Sequence, residues 1–199
     1  MFSRSVPAEK KPVIVVSGLP RSGTSMMMRM LSEGGIEPMV DSLRAADEDN
    51  PNGYFEIEMS KKLAVGEKQW LYLSQGRAVK IISYLLEFLP DDLNYNIIFM
   101  ERDINEVLAS QKKMLIHRSE QTEITDEQMR AQFTEHLRAV KYWVARKPNM
   151  RVLYVKYGSI MNSSAEDVEA IAEFLELPLN IQAMQAVPNQ SLYRNRSQE

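Results

Sequence analysis

The segment VIVVSGLPRSGTSMMMRML, Val13 to Leu31, constrains the fold more than any other stretch of the chain. The uninterrupted run Val13–Ser17 predicts a strand buried on both faces. It enters a turn containing Gly18, Pro20 and Gly23, and a helix is predicted over Ser22–Ser32, stopping at Gly34-Gly35. A Gly-rich turn between a parallel strand and a helix aims backbone N–H groups, and the positive end of the helix dipole, at one point. That is a cradle for an oxyanion. Gly18 and Gly23 let the backbone close around the anion, and Ser22, Thr24 and Ser25 bring hydroxyl donors. Arg21 adds a permanent charge with a planar fork suited to oxyanions. The ATP-binding pattern G-x-x-x-x-G-K-[ST] fits Gly18–Ser25, except that Thr24 stands where the lysine belongs.

Behind this unit, short apolar runs alternate with helical patterns. Residues 38–53 are acidic and read as an exposed loop. Glu56–Leu73 reads as an amphipathic helix weakened by Gly66, and Ala78–Ile82 as a strand followed by a helical turn that stops at Pro90. Asn96–Met100 is a buried strand with the helix Ile104–Ile116 behind it. Met129, Phe133, Leu137, Val140 and Val144 recur at helical spacing, predicting a long helix over Asp126–Arg146. Val152–Val155 is a further strand, and Asp167–Leu175 a helix ending before Pro178. Strands separated by helices imply a parallel sheet covered on both faces. The expected fold is α/β, a P-loop NTPase-like three-layer arrangement: a flexible arm over residues 1–11, then one domain over 12–199.

Composition narrows the partners. The net charge is −3, from 24 basic and 27 acidic residues, with no basic stripe of the kind that tracks nucleic acid. There are no cysteines, hence no disulfide framework and no thiolate metal site or nucleophile. No apolar run approaches the roughly 18 residues of a membrane-spanning helix. The polar start MFSRSVPAEKKP lacks the apolar stretch of a signal peptide. A cytoplasmic location is the expectation.

A second motif follows the strand NIIFM. Arg102 sits just past the strand's C-terminal end, where ligands gather in open α/β sheets, and Ser110 lies two helical turns on. With Leu19-Pro20-Arg21-Ser22-Gly23-Thr24-Ser25, this pair resembles the sulfotransferase family, whose donor is 3′-phosphoadenosine 5′-phosphosulfate (PAPS). The loop is similar to that family's 5′-phosphosulfate loop, which has Lys or Arg at the Arg21 position. Arg102 and Ser110 resemble its 3′-phosphate pair. VLYVKYGSI, Val152–Ile160, resembles the segment whose tyrosine, here Tyr157, lies by the nucleotide. NPNGYFE, Asn50–Glu56, and SLYRNR, Ser191–Arg196, are similar to segments of bacterial members.

The resemblance implies an enzyme that moves a sulfuryl group from PAPS to a hydroxyl or amine by in-line displacement, releasing the 3′,5′-bisphosphate PAP and requiring no metal. Arg21, Ser22, Gly23, Thr24, Ser25, Arg102, Ser110 and Tyr157 would hold the donor. Lys80, in AVKII, matches the context of the family's catalytic lysine, so Arg21 and Lys80 would act on the reacting group. A histidine two residues after that lysine serves cytosolic members as base, but the position here is Ile82. Glu56 is therefore the expected base, with Glu33, Glu37, Asp41 and Glu48 as rivals. His117 and His136 are read as helix-surface residues. Met26 replaces a frequent tryptophan beside the adenine, and the glycine-rich C-terminal segment has no match, with Arg194 or Arg196 as substitutes. Met26, Met27, Met28 and Met30 are expected to pack in the core.

The implied acceptor is a small molecule, carbohydrate or lipid that these residues do not specify, and a homodimer is left open. Two other readings stay in play. One is a P-loop kinase or NTPase with a displaced lysine, in which Glu101 organises Mg2+. The other is a non-catalytic member that binds the nucleotide or a partner.

Overall fold

A computed structural model of the chain describes residues 11–41, 53, 55–117, 124–162 and 165–189. Residues 1–10 of the arm, Glu48 with most of the acidic loop, residues 118–123, and the tail bearing Arg194 and Arg196 lie outside the described residues. Four strands form one sheet: β1 (Val13–Gly18), β2 (Ala78–Lys80), β3 (Tyr95–Glu101) and β4 (Met150–Lys156). Every pairing is parallel and the spatial order is β2-β1-β3-β4. The register sets Val16 beside Lys80 on one side and Ile98 on the other, so the C-terminal ends of β1, β2 and β3 share one edge.

Alternation along each strand divides the core. Ile14, Val16, Ile98, Met100 and Val155 face a layer built by helices α1 (Thr24–Glu33), α4 (Tyr157–Met161), α5 (Ala165–Leu175) and α6 (Ile181–Gln185). That layer contributes Met27, Met28, Met30, Met161 and Met184. Val13, Val15, Val79, Ile81, Ile97 and Phe99 face the opposite layer, where Trp70, Leu71, Val140 and Val144 pack. Helix α2 (Ile104–His117) and helix α3 (Asp126–Val144) grip the loop through a smaller cluster of Leu19, Val107, Leu108 and Phe133. The sheet is thus covered on both faces, the expected three-layer fold.

Several boundaries move for identifiable reasons. Glu56–Leu73 is not one helix but two 3-10 helices, Glu58–Val65 and Gln69–Leu73. Gly66 stands between them with φ 90°, a left-handed value that ends the first. Helix α1 starts at Thr24 rather than Ser22 because Gly23, its N-cap, has φ 98°. Ser22 therefore belongs to the loop. Helix α3 begins where Thr125 and Gln128 form a capping box. Of the four methionines on the first helix, Met27, Met28 and Met30 are fully buried, while Met26 packs at the margin of the core.

Candidate anion-binding and transfer site

The loop between β1 and α1 is held in a special backbone state. Gly18, Arg21 and Gly23 have φ of 143°, 69° and 98°. For Arg21 that left-handed value is uncommon and carries strain of order 1–3 kcal/mol, so its surroundings must hold it in place. Two contacts do so. Arg102, at the end of β3, donates from Nη1 to the Arg21 carbonyl at 3.0 Å. The Arg21 side chain donates from Nε to Ser110 Oγ on α2, also at 3.0 Å. The loop's two glycines are sites of close approach. A Cβ on Gly23 would fall 2.4 Å from Cδ2 of Tyr157, so the first residue of α4 packs directly on the loop.

Arg102 is a junction. Its Nε donates to Glu106 Oε2 at 2.9 Å, and its guanidinium lies 4.2 Å from the centre of the Tyr157 ring. Both Arg102 and Glu106 side chains are nearly buried, at 8% and 5% exposure. Burial raises the Tyr157 phenol above its ordinary pKa, with Arg102 pulling the other way, so the hydroxyl stays protonated. Arg21, Arg102, Ser110 and Tyr157, drawn from four different elements, meet on one side of the loop.

On the other side stands a second group. Lys80, ending β2, donates from Nζ to Ser25 Oγ at 3.2 Å and to Glu56 Oε1 at 3.0 Å. The Lys80 side chain is 6% exposed and that of Glu56 24%. A buried ammonium beside a half-open carboxylate at a strand end is unlike the solvated lysine usual at such a position. The rival carboxylates are engaged elsewhere: Glu33 with Arg29, Glu37 with Arg77, and Asp41 with the backbone N–H of Glu58.

The residues present fit an anion. Ser17 at the end of β1 and Ser22 in the loop have buried hydroxyls without a hydrogen-bond partner, which is uncommon in a folded interior. Thr24 opens α1 with no acidic residue in its first turn, so nothing in the helix opposes a negative ligand at its N-terminus. Glu101 is ion-paired with Lys141 of α3 rather than standing alone at the strand end.

A comparison with family profiles matches a sulfotransferase domain over residues 11–199. The chain belongs to the sulfotransferase family. Among solved structures, the sulfotransferase domain of the olefin synthase of Synechococcus PCC 7002 aligns with a TM-score of 0.52 and 14% identity, covering 96% of this chain and 83% of that one. The sulfotransferase domain from the curacin biosynthetic pathway gives 0.49 and 12%, covering 94% and 92%. Mouse sulfotransferase SULT7A1, complexed with PAP, gives 0.47 and 17%, covering 96% and 68%. The first likeness shows the fold. No curated protein sequence matched. Family and fold together indicate a transferase of sulfuryl groups.

Within this sulfotransferase-family site, two features lay outside the expectations from sequence. Glu106 has no part in the motif read from sequence, yet it is buried beside Arg102; the spacing of 102, 106 and 110 at four-residue steps is the signal that could have found it. His136 is not a surface histidine. Its Nε2 lies 2.8 Å from the buried Ser83 Oγ, and its ring stacks on Tyr84 with centroids 3.6 Å apart. Fifty-three residues separate Ser83 from His136, and no local pattern announces their contact.

Burial holds the His136 imidazole below its ordinary pKa, against a smaller opposing pull from Glu87. The unfolded chain thus takes up this proton first. The contribution to stability is fully present above about pH 6.5, the ordinary histidine value, and declines as pH falls through the depressed folded value. Thermal melts between pH 8 and pH 5 are expected to fall more steeply below pH 6.5 in the native protein than in His136→Gln. Parallel curves would show that this imidazole carries no linkage.

The described residues contain no helix long and apolar enough to cross a membrane.

Proposed function

We propose that the chain transfers the sulfuryl group of PAPS to a hydroxyl or amine of a small-molecule, carbohydrate or lipid acceptor. The observation that carries this reading is the placement of two cationic groups on either side of one anion loop: Arg21 with Arg102 and Ser110, and Lys80 with Glu56 and Ser25. A donor with phosphosulfate at its 5′ position and phosphate at its 3′ position asks for both groups, Arg102 and Ser110 on the 3′ side of the loop and Lys80 on the side of the reacting bond. The missing P-loop lysine is then expected, since the donor has no β- and γ-phosphates to span.

In this arrangement the loop N–H groups and Arg21 hold the 5′-phosphosulfate, while Arg102 and Ser110 hold the 3′-phosphate against the Tyr157 ring. The donor supplies an activated sulfuryl group through its phosphate–sulfate anhydride. Glu56 receives the acceptor's proton as the new S–O or S–N bond forms. Lys80 and Arg21 take up the charge left on the phosphate oxygen as the old S–O bond breaks, and PAP is the product. Catalysis is then mainly positioning and charge stabilisation, by analogy with phosphoryl transfer, and the reading calls for no metal ion.

Calorimetric titration with PAP and, separately, with ATP plus Mg2+ tests it. PAP is expected to bind clearly more tightly. Arg102→Ala should weaken PAP by about 10–100-fold, the range for a lost charge-assisted hydrogen bond of roughly 1.5–3 kcal/mol. Binding of ATP–Mg2+ in place of PAP would overturn the donor assignment and favour a kinase. PAP binding without turnover on any acceptor would leave a nucleotide-binding protein.

A further inference from the structure

We propose that Glu106 is a positioning residue of the donor-nucleotide site: it sets the plane of the Arg102 guanidinium and so decides how strongly the chain prefers a 3′-phosphorylated nucleotide. The inference rests on the assignment of Arg102 to the 3′-phosphate given above. An Arg–Glu pair at i,i+4 on a solvated helix does little, but this one is neither solvated nor isolated. Both side chains are nearly buried, and the bond is made at Nε with a 2.9 Å distance.

Three contacts bear on the plane of the guanidinium. Glu106 takes Nε, the Arg21 carbonyl takes Nη1 at 3.0 Å, and the Tyr157 ring supports one face at 4.2 Å. Of these, the carboxylate is the charged contact, and the carbonyl belongs to the loop that Arg102 itself restrains. Loss of Glu106 therefore removes the charged acceptor at Nε and loosens the plane of a nearly buried cation. Ser110, which receives Arg21, stands one helical turn beyond Glu106 on the same face of α2. One face of one helix thus engages both arginines, Arg102 through Glu106 and Arg21 through Ser110.

A buried carboxylate that only stabilised the fold would not discriminate between ligands. The test is therefore a ratio. PAP and 5′-AMP, which differ in the 3′-phosphate, are titrated into the native protein, Glu106→Gln and Glu106→Asp. The amide keeps size without charge, and the shorter acid keeps charge while withdrawing it from Nε. In Glu106→Gln, PAP is expected to weaken by about tenfold or more while 5′-AMP changes by less than about threefold, with Glu106→Asp in between. Circular dichroism confirms folding, and if the glutamine variant does not fold, the aspartate variant alone must lower the ratio. Equal weakening of both nucleotides, unchanged PAP binding, or tighter PAP binding overturns the positioning role while leaving the donor assignment standing. A native protein that does not prefer PAP to 5′-AMP removes the donor assignment, and this inference with it.

Discussion

Lys80→Met is expected to lower the turnover of PAPS by about 10²–10³-fold, the scale for losing one preorganised group that meets developing charge. The same change should weaken PAP binding by less than about tenfold, because PAP lacks the sulfuryl group and Arg21 and Arg102 remain. The expectation follows from placement. Lys80 is enclosed, with its ammonium divided between Ser25 at the head of α1 and Glu56. An ammonium held there costs no reorganisation when charge appears on the loop's anion. Steady-state PAP release, measured beside calorimetry, separates the outcomes. If turnover and PAP affinity fall by the same factor, Lys80 binds the donor and does not act on the reacting bond.

Gly18→Ala should destabilise the protein by about 2–6 kcal/mol, combining backbone strain of roughly 1–3 kcal/mol with overpacking of about the same size. At φ 143° an L side chain is strained, and its Cβ would fall 2.5 Å from Ser22 Oγ and 2.7 Å from the Met100 carbonyl oxygen. The hydroxyl can turn away, but the carbonyl is part of β3 and cannot. Set against a typical total stability of roughly 5–15 kcal/mol, this approaches loss of the fold. Gly35→Ala is the matched control: its φ is also positive, at 103°, but nothing lies within 4 Å of the added Cβ. Urea unfolding of both variants isolates the packing cost. Equal destabilisation would mean that Gly18 is required for its torsion alone.

How much of this was legible in the chain depends on whether the signal was local. The strand–loop–helix unit was, because an apolar run, two glycines and a helical pattern lie within twenty residues, and the structure moves its boundaries by only one or two residues. Arg102 and Ser110 were legible as a pair for the same reason. Their meeting with Arg21 was not, since it depends on β3 lying beside β1 rather than on any spacing. Glu56 and Lys80 were each picked out by resemblance, twenty-four residues apart, and the structure sets them in direct contact. The 3-10 helices over 58–73 were misread because their apolar residues, among them Leu63, Trp70 and Leu71, mimic a helical stripe across the break at Gly66. His136 escaped altogether: its partner Ser83 belongs to a turn whose position over α3 is fixed only by the packing of the whole layer.

The two faces of the sheet differ in stiffness. Both layers hold Val and Ile, stiff at χ1, but opposite α1 these side chains, Val13, Val15, Val79, Ile81, Ile97, Val140 and Val144, are accompanied by one buried methionine among the described residues, Met150. Beneath α1 the core holds Met27, Met28, Met30, Met100, Met161 and Met184, unbranched thioethers that fill irregular space and re-pack at little cost. The helix whose first turn completes the anion cradle thus rests on the compliant side, while the strands that aim the cradle are backed by the unyielding one. A shift of α1 by a fraction of an ångström can be absorbed by thioether rotations without opening a void or tilting the sheet. Tolerance for small movement is built in at the loop to which the proposed function assigns the nucleotide, and is smaller where the register of the strands has to persist.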